Sequence, residues 1–121
     1  ALADANARRT MELLTSQILE RSPNTKIMLT TPADSYLRGR GVNPHMAQMS
    51  EVIRKFAREK GFALWDLFNF TGGENSSLLW KSHHLMTSDS VHYTKYGYAL
   101  QGKLFYQSLV KGYNDFVDGK R

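Results

Sequence analysis

The sequence predicts an α/β fold in which a parallel sheet is covered by helices on both faces. Two short runs, Lys26-Ile-Met-Leu-Thr-Thr31 and Phe62-Ala-Leu-Trp-Asp-Leu67, have the length and the apolar, β-branched or aromatic character of buried strands. Longer segments with apolar residues at helical spacing precede, separate and follow them. Strands that alternate with helices of about ten or more residues are joined by crossovers, and crossovers produce parallel sheets.

Taken in order, the first helix is expected from about Ala3 to Glu20, with Met11, Leu14 and Ile18 forming its apolar stripe. The turn Arg21-Ser-Pro-Asn-Thr25 stops it, and the first strand follows until Pro32. Pro, Asp, Ser, Gly and Asn are dense between Pro32 and Pro44, which predicts a polar loop. Asn43-Pro44 starts a second helix reaching Lys60, because proline suits the first helical turn, and Met46, Met49, Val52, Ile53 and Phe56 give it a core face. Gly61 ends it. After the second strand, Thr71-Gly-Gly73 opens an irregular stretch to Ser88. A last helix from about Thr94 to Val117 carries Leu100, Leu104, Tyr106, Leu109, Val110, Tyr113 and Phe116 as a broad apolar face.

At 121 residues the chain is one small domain's worth of length. Hydrophobic residues are 41% and charged residues 22%, the balance of a foldable globular chain. Two parallel strands alone bury too little to offset a chain entropy of about 1 to 2 kcal/mol per residue, so residues 1–121 are expected to be the carboxyl-terminal part of one larger α/β domain, or a sheet completed by another chain. No apolar run approaches the roughly 20 residues of a membrane span. The chain opens at Ala1 without an initiator methionine and already in helix-forming sequence, so the native start and any targeting segment are expected upstream, and the compartment is open. Zero cysteines remove disulfides, thiol nucleophiles and thiolate metal sites together. The net charge of +5 comes from scattered residues such as Arg8, Arg9, Arg54, Lys55 and Lys111 on expected helix surfaces, and no basic stripe interleaved with aromatics points to nucleic acid.

Chemistry concentrates in Thr87-Ser-Asp-Ser-Val-His-Tyr-Thr-Lys-Tyr-Gly-Tyr98, which places Asp89 and His92 three apart in a loop leading into a helix that Thr94 can cap. A neutral histidine serves as a general base when one ring nitrogen is free, and a carboxylate on the other nitrogen fixes that tautomer and stabilises the imidazolium that forms. Elsewhere, adjacent His83 and His84 point apart on most backbones, and with no cysteine nearby they do not suggest a metal. Trp80 can line a pocket beside the site or pack into the core. Tyr36, Arg38 and Arg40 follow the first strand, at the rim where α/β sites lie, and can hold an anionic or carbohydrate substrate. Asn69-Phe-Thr71 and Asn75-Ser-Ser77 match a glycosylation pattern that has meaning only in a eukaryotic secretory context.

Asp89-Ser-Val-His92-Tyr-Thr-x-x-Gly-Tyr98 ahead of a long final helix resembles the last conserved block of the SGNH (GDSL) hydrolases, a family of esterases and lipases. The preceding elements, with Thr30-Thr31-Pro32, Asp34-Ser35-Tyr36 and Ala63-Leu-Trp-Asp-Leu67, resemble the carboxyl half of bacterial members. The resemblance implies a flavodoxin-like three-layer α/β/α sandwich, of which this chain is the C-terminal portion, and Asp89 and His92 as two members of a catalytic triad. It implies acyl ester hydrolysis without cofactor or metal, on a small ester or an acylated carbohydrate. The family's Gly-Asp-Ser nucleophile block and its Gly and Gly-x-Asn-Asp oxyanion blocks are absent from these residues. Asp34-Ser35 imitates the first of them, but Ala33 stands where glycine is expected and Asp89 lies only 54 positions after Ser35. The nucleophile is therefore expected on an N-terminal segment of the same protein. A non-catalytic binding or structural module of the same fold is the competing expectation.

Overall fold

Leu2–Arg21 forms the first helix, α1, in the computed structural model, which describes residues 2–119. It is followed by β1 (Met28–Thr30), a hairpin of β2 (Tyr36–Leu37) and β3 (Gly41–Val42), α2 (Pro44–Lys60), β4 (Ala63–Trp65), α3 (Leu67–Phe70), α4 (Ser76–Ser82) and α5 (Lys95–Val117). The result is a mixed α/β architecture with a small parallel sheet. The chain divides into two units, one up to Ser77 and the other from Leu78 onward.

In the first unit, β1 and β4 pair in parallel with Met28 opposite Ala63, Leu29 opposite Leu64 and Thr30 opposite Trp65. The ladder runs on at both ends, where the Ala63 amide donates to the Ile27 carbonyl at 3.1 Å and the Thr31 amide to the Trp65 carbonyl at 3.1 Å. The crossover between the strands is α2, whose ends are set by its own sequence. The Asn43 side chain accepts from the His45 amide at 3.1 Å, Pro44 fills the first turn, and Gly61 adopts φ 69°, the left-handed conformation that closes a helix at little steric cost. Phe56 on α2 is fully buried. It meets Phe62 edge-on with ring centroids 6.1 Å apart, and the Arg8 and Lys60 cations lie 5.4 and 5.7 Å from its ring centre. Arg8 pairs with Glu59, and Lys60 with Glu12 at 2.6 Å, so charged pairs bracket the α1–α2 contact.

Two expectations about burial need correction. The first strand was expected to be buried, yet Met28 is 46% exposed; β4 pairs with one edge of β1, and no strand among the described residues pairs with the other. On α1 the stripe of Leu14 and Ile18 lies exposed, while Thr15 is buried and Arg8 and Glu12 reach α2. The helix meets its partner through a mixed polar face, and its more apolar side is left over. The apolar face of α5 behaves in the same way, with Tyr106, Leu109, Val110, Tyr113 and Phe116 all exposed.

Two local corrections concern elements too short for periodicity to mark. Pro32 to Pro44 is not wholly loop, since Tyr36 pairs with Val42 and Leu37 with Gly41 around a turn in which Gly39 takes φ 72°. The stretch expected to be irregular holds α3 and α4. Asp66 caps α3, accepting from the Asn69 amide, and its Oδ1 also accepts from the Thr31 hydroxyl at 3.0 Å, while the Thr31 hydroxyl accepts from the Phe68 amide at 2.9 Å. The start of α4 is held from far along the chain. Asp34, 2% exposed, takes the Ser77 amide at 3.0 Å and the Ser77 hydroxyl at 2.6 Å on one carboxylate oxygen. Bonds of this kind to a charged acceptor are worth about 1.5 to 3 kcal/mol each.

Candidate active site

The site residues belong to the second unit, on the loop between α4 and α5. Its frame is a narrow antiparallel pair: the Thr87 amide donates to the His92 carbonyl at 2.8 Å, and the Thr94 amide to the Leu85 carbonyl at 3.0 Å, with Met86 bridged to Tyr93 between them. Between these two strips the chain turns back through Ser88 to Val91. Ser90 makes the turn with φ 55°, left-handed for a residue with a side chain, and it is buried. Thr94 then caps α5, accepting from the Gly97 amide at 3.2 Å while donating its hydroxyl to the His84 carbonyl at 2.8 Å.

Asp89 and His92 come together, as their spacing allows. Asp89 Oδ2 lies 2.7 Å from His92 Nδ1. The other oxygen, Oδ1, accepts from the Thr87 hydroxyl at 2.6 Å, the Val91 amide at 2.9 Å and the His92 amide at 3.0 Å. Four donors thus converge on one carboxylate. The bond to the His92 ring, then the Thr87 hydroxyl, then the His92 and Val91 amides hold Asp89 well below the usual carboxylate range, so it stays ionised through neutral and mildly acidic pH. An ionised carboxylate only accepts, so the proton of a neutral His92 ring must sit on Nδ1, leaving the lone pair of Nε2 free. The His92 side chain is 69% exposed and can receive a proton from outside the loop.

The remaining candidates lie as follows. Trp80 is buried, its ring edge-on to Tyr93 at 5.4 Å, and Tyr93 in turn meets Tyr98 at 5.4 Å, so an aromatic row backs the residue next to His92. Tyr36 stands in β2 and Arg38 in the exposed turn of the hairpin, both in the first unit. Ser35 is in that unit as well, its carbonyl accepting from the Asn43 amide, beside the buried Asp34. His83 and His84 are exposed, and no group of three or more histidine, aspartate or glutamate side chains able to hold a metal occurs among the described residues.

Close packing against the site loop requires a glycine at position 97. A Cβ there would lie 1.9 Å from the Leu85 carbonyl oxygen and 3.0 Å from the Tyr93 ring. Backbone cannot yield as a flexible side chain can. Gly97→Ala gains about 1 kcal/mol of helix propensity but forces α5 off the Leu85 strip, and overpacking of this kind costs about 1 to 3 kcal/mol or more. The expected outcome is a lower urea midpoint for the variant; a raised midpoint, as at an open helical glycine, would show that the close approach is not there.

No protein-family model and no curated protein sequence matches this chain. Solved structures do. Over 89% of its length the chain is similar to a peptidoglycan O-acetylesterase, with a TM-score of 0.79 and 22% identity, and covers 32% of that chain. Over 89% it is also similar to the esterase domain of the ZfL2-1 ORF1 protein from a zebrafish retrotransposon, with a TM-score of 0.64 and 19% identity, covering 60% of it. Both likenesses agree with an SGNH-type hydrolase fold, and the chain spans about one third and three fifths of the two proteins it matches.

Proposed function

We propose that this chain is the carboxyl-terminal portion of an SGNH-type serine esterase with an α/β/α sandwich, in which His92 is the general base and Asp89 its orienter. The observation that carries the reading is the 2.7 Å contact between Asp89 Oδ2 and His92 Nδ1 on an exposed loop directly before α5. A serine hydroxyl on an upstream segment attacks the ester carbonyl. His92 Nε2 takes its proton and later gives it to the departing alcohol, while Asp89 remains a carboxylate and stabilises the imidazolium between the two transfers. Donors from the same upstream segment hold the tetrahedral oxyanion, each contributing about 3 to 4 kcal/mol. No cofactor or metal takes part in this scheme.

The small two-stranded sheet and the apolar side chains left uncovered on α1 and on α5 support an upstream half that packs against them. Acetyl esters of carbohydrate are the substrate class favoured, because the structural neighbour with the higher TM-score is a peptidoglycan O-acetylesterase. Trp80, being buried, serves by packing.

The test uses the full-length protein, an aryl acetate and a serine-directed phosphonate. Expected are hydrolysis, its loss on phosphonate treatment, and an adduct mapped by mass spectrometry to a serine outside residues 1–121. An adduct on Ser35 would put the nucleophile inside this chain and overturn the division of labour. Neither hydrolysis nor labelling would leave a binding module with an esterase fold.

A further inference from the structure

We propose that Thr87 is a positioning residue for the Asp89–His92 pair, engaging one partner through its side chain and the other through its backbone. Every polar group of Thr87 is engaged by the site loop. Its amide donates to the His92 carbonyl at 2.8 Å, its carbonyl accepts from the Ser90 amide at 3.0 Å, and its hydroxyl donates to Asp89 Oδ1 at 2.6 Å. The loop from 87 to 92 is thereby closed at its base, at its turn and at its carboxylate.

The hydroxyl has a role that the two backbone bonds cannot fill. Asp89 Oδ1 also accepts the Val91 and His92 amides, at 2.9 and 3.0 Å, and both approach from the chain following the carboxylate. Thr87 approaches from the chain preceding it. With donors from both directions the carboxylate is held against rotation, and Oδ2 is the oxygen left for His92 Nδ1 at 2.7 Å. Thr87 suits the task because branching at Cβ restricts its χ1 rotamers, so the hydroxyl is held in place before it bonds. Nearby, Lys81 Nζ donates to the Ser88 carbonyl at 3.1 Å, on the neutral backbone of the loop.

The kinetic consequence rests on the esterase reading, whereas the structural one does not, and the experiment separates them. Thr87→Val keeps the branched shape and removes the hydroxyl; Thr87→Ser keeps the hydroxyl and removes a methyl. In the full-length protein, 15N shifts of the His92 ring distinguish a proton on Nδ1 from one on Nε2. Expected for Thr87→Val is a larger population protonated on Nε2, with kcat for aryl acetate down about fivefold to tenfold and KM within about twofold, the size of one ordinary hydrogen bond. Thr87→Ser is expected to restore both readouts. An unchanged tautomer distribution in Thr87→Val would overturn the proposal, and so would a serine variant as impaired as the valine one, since that marks a loss of packing. A shifted tautomer in a protein that hydrolyses no ester would uphold Thr87 and remove the esterase reading instead.

Discussion

Replacing His92 with alanine is expected to abolish ester hydrolysis by the full-length protein, lowering kcat by a factor on the order of 10⁶, the loss met when the base of a serine triad is removed. Without Nε2 the attacking hydroxyl must shed its proton to water as it adds to the carbonyl, and no positioned acid protonates the leaving alcohol. Among the described residues, His92 is the histidine whose ring meets a carboxylate. The fold is expected to survive, because the ring is largely exposed while the loop is held by bonds from Thr87, Thr94 and the His92 backbone. The check is a pair of measurements: aryl acetate turnover and the urea midpoint. Retained turnover with an unaltered midpoint would remove His92 from the reaction.

Asp89→Asn tests the orienter with almost no change of shape. Asparagine can keep its oxygen in the place of Oδ1, accepting from Thr87 Oγ1 and from the Val91 and His92 amides. Its amide nitrogen then takes the place of Oδ2, a donor facing Nδ1 at 2.7 Å. Two donors cannot share that contact. The ring is driven to the tautomer protonated on Nε2, which has no lone pair to offer a serine, and the positive charge of an imidazolium would lose its counter-charge. The expected loss is about 10⁴-fold in kcat, with KM nearly unchanged, since the substrate is not held by this pair. A fall of less than about tenfold would mean that His92 works without an orienter. Stability should also decline, most at neutral pH. The Asp89 carboxyl is held below its ordinary range in the fold, so its contribution is present above the unfolded-state pKa and fades as acid protonates the native carboxylate.

The site pair was legible because it is local. Asp89 and His92 lie within one turn of chain, and the Thr94 cap and the onset of α5 follow from neighbouring residues. The boundaries of α2 were legible for the same reason, with Asn43, Pro44 and Gly61 each acting on adjacent backbone. Other features depend on partners that periodicity does not reveal. The β2–β3 hairpin has two residues per strand, and α3 is a single turn capped by Asp66. Exposure of Leu14, Ile18 and the α5 stripe could not be foreseen either, because an apolar face marks where burial is sought, and what lies against it is decided elsewhere. Thr87 could have been singled out. It stands at the entry to a turn in which the Asp89 carboxylate takes the amide two residues on, a recurrent local arrangement.

The Asp34 carboxylate bonded to Ser77 makes an early part of the polypeptide answerable for a late one. A helix of seven residues has almost no autonomous tendency to persist in water, so α4 depends on contacts beyond its own backbone, including one 43 positions away. Loosening of the segment after β1 is therefore expected to loosen the start of α4 with it.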